Sequence, residues 1–152
     1  MKIVILFFVL VTGISTSTVQ AQGSLPLLQG FMRDIANPNI DESTIIDKYL
    51  CFYLHQVPNR SENQDYVFAK GQITAVRIYM REENIAADQL KFYKYADIPA
   101  KDQKIFIQEN DDVYASYFNN KLFNYFLIRD MRIDAFNTMN KGTKEIFISH
   151  CR

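Results

Sequence analysis

The sequence predicts an α+β fold in which N-terminal helices pack on a curved antiparallel β-meander. Two observations carry that prediction. Over residues 24–50 apolar side chains recur every three to four positions, the period of a helix with one buried face. Over residues 105–151 apolar and polar side chains alternate with the two-residue period of a strand, in five runs separated by short polar turns.

The N-terminus comes first. Met1 and Lys2 precede an apolar run over residues 3–11, then Gly13, a Ser/Thr stretch, and Val19, Gln20 and Ala21 in small-x-small order. This is the pattern of an export signal cut after Ala21, and it predicts a periplasmic or extracellular protein. The apolar run is shorter than the ~20 residues a spanning helix needs, so stable membrane insertion is not expected. Removing residues 1–21 from 152 leaves 131, enough for one domain over residues 22–152 with its own hydrophobic core. Losing Lys2 turns 17 basic and 17 acidic residues into 16 and 17. So balanced a surface does not track a polyanion, and no nucleic-acid partner is expected. Lys91, Lys94, Lys101 and Lys104 recur in one segment, but Asp88, Asp97 and Asp102 are interleaved with them, as on a solvated edge.

Leu28, Phe31 and Ile35 make the apolar stripe of a first helix, which Asn37 and Pro38 stop, because a residue before proline avoids helical geometry. Asn39 or Asp41 caps a second helix carrying Ile45, Ile46, Tyr49 and Leu50 on one side. Its end runs into Cys51, Phe52 and Tyr53, where helix and strand both fit. Residues 56–65 have loop composition. Over residues 66–82, Ile73, Val76, Tyr79 and Met80 suit one face of a helix, with a strand (Val76, Ile78, Met80) as the alternative. Residues 90–95 read as a strand, ended by Pro99.

The meander follows. Residues 105–108 form its first strand, and Asn110, Asp111 and Asp112 a turn. Val113, Ala115 and Tyr117 then share one face, and Tyr114, Ser116 and Phe118 the other. Asn119, Asn120 and Lys121 reverse the chain into a strand over residues 122–129, since Asn tolerates left-handed backbone. Asp130 separates this from a strand over residues 131–138, by a hairpin or a bulge. Asn140, Lys141 and Gly142 form the last turn, before a strand with Ile146 and Ile148 on one face and Phe147 on the other.

The glycines at 13, 23, 30, 71 and 142 are scattered, so there is no phosphate-binding loop, and G-x-S-x-G, H-E-x-x-H and C-x-x-C are absent. No cofactor is expected. Asn59, Arg60 and Ser61 form a glycosylation triplet in a polar loop. Cys51 and Cys151 are the only cysteines, and in an exported chain they predict one disulfide. Closing so long a loop would be worth about 4 to 5 kcal/mol in the chain-entropy model. His55 and His150 lie beside them, which formally supplies four zinc ligands. Adjacent residues on a strand point to opposite faces, however, so His150 and Cys151 would not share an ion, and no metal is expected.

For acid-base chemistry the best candidate is Asp134, mid-strand beside Phe136, with His55 a second. The plainer reading places Arg132, Asp134 and Thr138 on the solvent face of an edge strand. Tyr114, Tyr117 and Tyr125 are candidates to line a binding pocket, or else core residues with a solvated hydroxyl.

Helices followed by an antiparallel meander resemble the NTF2-like and cystatin-like α+β folds, in which a bent sheet wraps against helices around a conical pocket. The resemblance spans most of residues 25–150 and rests on element order. The cystatin Q-x-V-x-G loop is absent, since Gln56 and Val57 are adjacent and followed by Pro58. An aromatic-rich meander without a catalytic constellation points to a small exported, non-catalytic binding or accessory protein that holds a small ligand or an exported protein on the concave sheet face or an edge. The alternatives are an NTF2-like enzyme performing proton transfer or dehydration in the cone, with Asp134 or His55 as base, and an inhibitor or immunity-type partner of another exported protein.

Overall fold

A computed structural model describes residues 21–51, 62–106 and 112–150. Three helices, α1 (Ala21–Ala36), α2 (Glu42–Tyr49) and α3 (Gln64–Glu82), precede six strands: β1 (Lys91–Lys94), β2 (Val113–Phe118), β3 (Lys121–Arg129), β4 (Arg132–Ala135), β5 (Thr138–Lys141) and β6 (Lys144–Phe147). Strands β1 to β4 form an antiparallel sheet in sequence order, and β5 and β6 pair separately. The class is α+β, as expected.

Each helix is set by its ends and one apolar face. Leu28, Phe31, Met32 and Ile35 of α1 are fully buried. Asp41 caps α2 by accepting from the Thr44 N–H at 3.0 Å. In α3 the Asn63 side chain accepts from the Tyr66 N–H at 3.1 Å. At its other end Asn84 takes φ 52°, while the Ile85 and Asn84 N–H groups reach back to the Met80 and Arg81 carbonyls. That is a Schellman motif with Asn in the glycine position, and the two caps decide helix over strand for residues 66–82. The expected loop over residues 56–65 therefore gives way to α3 at Gln64; residues 52–61, His55 among them, lie outside the described residues. Arg77 ties α3 to the turn between α1 and α2, donating to the Ile35 and Ile40 carbonyls at 2.8 and 2.7 Å and to Glu42 Oε1 at 2.6 Å.

The sheet is buried on both faces. Tyr114, Phe126, Ile128, Ile133 and Phe136 meet the helices, and Phe31 lies edge-on to Phe136, Tyr49 and Phe126 at centroid distances of 5.1, 5.6 and 6.4 Å. Val113, Ala115, Tyr117, Tyr125 and Leu127 meet a second core with Ile98, Phe106 and Phe147. Phe106 stacks on Phe147 at 4.6 Å and meets Tyr125 edge-on at 5.2 Å. The alternation predicted for β2 is the division between these two cores.

Turn chemistry follows the sequence in part. Asn119 and Asn120 both take positive φ, as a type I′ hairpin demands. Asp130 and Met131 do the same, so the ambiguous break is a two-residue hairpin. Two corrections concern the meander. It is not five consecutive strands of one sheet: Phe106 makes only an isolated bridge to Glu145, residues 107–111 lie outside the described residues, and the strand expected over 131–138 divides at Asn137. The last turn falls one residue late, since Asn140 and Lys141 pair with Glu145 and Lys144 and Gly142 (φ 67°) makes the reversal.

Candidate functional site

Asp134 is fully buried, which overturns its reading as part of a solvent face. The cause is a β-bulge. Leu127 lies opposite Ala135 and Ile128 opposite Ile133, so Asp134 is the extra residue, and Ile133, Asp134 and Ala135 are all buried in succession. Its backbone carbonyl accepts from the His150 N–H at 2.7 Å. Its carboxylate accepts from the Ser149 hydroxyl and the His150 N–H (3.2 Å) on Oδ1, and Arg129 Nε stands 3.2 Å from Oδ2. A buried carboxylate is thus shared among β3, β4 and residues 149–150.

The His150 ring lies 5.6 Å from that of Phe136. Burial pulls its pKa down to about 4, against the opposing charges of Asp134 and Asp65, so the imidazole is neutral at neutral pH. A neutral imidazole near a carboxylate is a pair able to move protons, provided a substrate reaches it. The three surface grooves described below are lined by neither residue.

The other sequence candidates are dispersed. Arg132, the expected neighbour of Asp134, instead donates to the Asp47 and Lys48 carbonyls at 3.0 and 2.6 Å, at the C-terminal end of α2. Tyr114 lies beneath the helices. Tyr117 and Tyr125 lie on the opposite face, donating to Asp102 Oδ2 (3.0 Å) and to the Asp102 carbonyl, while Tyr95 donates to the Lys104 carbonyl. Burial pushes the Tyr117 phenol up to about 12 and raises Tyr125 further. The structure therefore uses these tyrosines to fasten residues 95–106 over the sheet and does not gather the three into one pocket.

Cys51 is half-buried, and its N–H donates to the Ile133 carbonyl at 3.0 Å. Cys151 lies outside the described residues. Cys51 and the residue before Cys151 thus hydrogen-bond to consecutive residues of β4.

The sequence reading missed the outer surface of α3. Its buried face is Tyr66, Ala69, Ile73 and Met80, with Val76 partly buried; Tyr79, expected in that stripe, points outward. The 3.6-residue period places Val67, Phe68, Ile78 and Tyr79 on the outward side, where they are 53, 46, 39 and 51% exposed. Between them lie Gly71, Thr74 and Ala75, and a Cβ on Gly71 would meet nothing within 4 Å. The Tyr79 ring sits 5.8 Å from that of Phe123 and borders a groove of about 300 Å³ lined by Phe118, Leu122 and Phe123 together with Glu83, Asn119 and Lys121. A larger groove of about 650 Å³ runs between α1 and residues 87–90, with Gln29, Arg33, Asn37 and Asp88 in its walls. A third, of about 270 Å³, is lined by Tyr93, Asp97, Pro99, Tyr117 and Asn120.

Among the described residues no group of three or more His, Cys, Asp or Glu side chains is placed to hold a metal ion, and no helix is long and apolar enough to cross a membrane. No family model, curated protein or solved structure matches the chain.

Proposed function

We propose that this is an exported, non-catalytic binding protein whose recognition surface is the outward face of α3 and the adjoining hairpin groove. One observation carries the reading: four large apolar side chains stand exposed on a single helix face and run into a groove that combines Phe118 and Phe123 with Glu83 and Lys121. The concave sheet face, where a cone-type ligand site would lie, is filled by Phe31, Phe126 and Phe136. Filling of this kind supports a partner surface over catalysis within an NTF2-like or cystatin-like frame. The Asp134 carboxylate, engaged by three side-chain and backbone groups, serves on this reading to close the sheet edge. A disulfide between Cys51 and Cys151 belongs to the same proposal, as a staple of the helix layer to β4 in an oxidising compartment.

A photo-crosslinking residue at position 68, with a control at Lys144 on the β5–β6 hairpin, tests this in the exported protein. An adduct at 68 and none at 144 is expected. Equal labelling at both positions, or none at 68, would overturn it.

A further inference from the structure

Resting on that partner-binding reading, we propose that the partner is a second copy of this chain, docked through an antiparallel α3–α3′ pair about a two-fold axis. The order of side chains along the helix is self-complementary under that operation. With the stripe centred between Gly71 and Ala75, Phe68 and Tyr79 flank it on one side and Val67 and Ile78 on the other. A two-fold axis across the stripe reverses the helix direction but keeps each flank on its own side. Phe68 of one copy therefore falls beside Tyr79 of the other, and Val67 beside Ile78, each contact made twice, as an isologous interface requires.

Aromatic meets aromatic and aliphatic meets aliphatic, while Gly71 and Ala75 fall at the crossing, where small side chains let backbones approach. The hairpin groove extends the contact: Phe68 of the partner, arriving beside Tyr79, lies at its mouth, next to Phe123.

Charge is confined to the ends of the stripe. The stripe from Val67 to Tyr79 carries no charged side chain on its centre line, whereas the acidic groups at its ends, Asp65 in the first turn and Glu82 in the last, weaken the pairing. Area sets the strength. With full-side-chain areas of roughly 150–250 Å² for aromatics, the four exposed side chains offer on the order of 350 Å² per copy. A standard interface takes about 800 Å² from each partner. The groove walls add to the stripe without doubling it, so the dimer is weak and concentration-dependent.

Sedimentation of the mature chain from about 5 to 500 μM decides the matter. A monomer–dimer equilibrium in the micromolar to submillimolar range is expected, weakened at least tenfold by Phe68→Ser. Gly71→Leu should abolish it as well, although it adds apolar surface to a position with room for it; a general hydrophobic self-association would instead strengthen. A monomer across the whole range, or dimerisation unmoved by Gly71→Leu, would overturn the second-copy assignment. The crosslink at position 68 separates the two proposals: an adduct with a different protein from a monomeric chain leaves the partner surface standing and removes only the homodimer.

Discussion

Nε of Arg77, in the middle of α3, lies 2.8 Å from the carbonyl oxygen of Ile35, in the last turn of α1. The same guanidinium reaches the Ile40 carbonyl and the Glu42 carboxylate, so one planar group holds the α1–α2 connection against α3. Arg77→Ala is expected to cost about 2 to 3 kcal/mol in urea denaturation, since it leaves part-buried acceptors without their charged donor. Arg77→Lys should recover less than half of that, because an ammonium on a flexible stem does not span three acceptors. Full recovery by lysine would show that charge alone matters there.

Gly30 and Gly71 form a matched pair of helix glycines with opposite expectations. A Cβ on Gly30 would stand 2.9 Å from the Tyr49 hydroxyl, which donates to Asp34 Oδ2 at 2.8 Å. Gly30→Ala must therefore displace a core ring, and a net loss of about 1 to 2 kcal/mol is expected despite the helix preference of alanine. Gly71→Ala meets open space and should gain up to about 1 kcal/mol. Thermal melts of the two variants at low protein concentration check both signs.

His150 gives stability a pH dependence of known sign. Its folded pKa of about 4 lies below the ordinary 6.5, because burial disfavours the imidazolium. As pH falls below about 6.5 the unfolded chain takes up a proton that the folded one refuses, so stability present at neutral pH is lost progressively down to about pH 4. At 1.36 kcal/mol per unit, about 2 kcal/mol should disappear between pH 7 and 5, above the range in which ordinary carboxylates titrate. His150→Phe keeps a ring beside Phe136 and should flatten that slope. An unchanged slope in the variant would assign the effect to other groups.

For the cysteines, the intact mass of non-reduced exported protein should be two hydrogens below that of the reduced chain. Reduction should then cost about 4 kcal/mol of stability, and Cys51→Ser should reproduce the loss. A free thiol titre of two per chain would exclude the bridge.

The helices were legible because capping and periodicity are local: Pro38, Asp41 and the 28, 31, 35 spacing sufficed. Residues 66–82 were less so, because two apolar faces on one helix blur the 3.6-residue period; Asn63 and Asn84, which bracket α3 as caps, were the signals that could have settled it. For Asp134 the sequence leaves an apolar pocket and a solvent face both open, and only the fold buries it. A bulge depends on which partner residue is skipped across the sheet, and Leu127, which decides it, lies in another strand. The tyrosines were recognised as amphipathic, but their acceptors on Asp102 come from a segment whose path depends on tertiary packing.

Because the sheet has a core on each side, residues adjacent in sequence belong to different mechanical halves of the molecule. Tyr125 answers to the aromatic cluster around Phe106 and Phe147, and Phe126 to the helices. The hairpin half is held to its neighbours by ring contacts, tyrosine hydroxyls and the bonds of Ser149 and His150 to Asp134, the helical half by three packed helices. β2 and β3 are thus a party wall, each presenting one face to the helices and the other to the aromatic cluster.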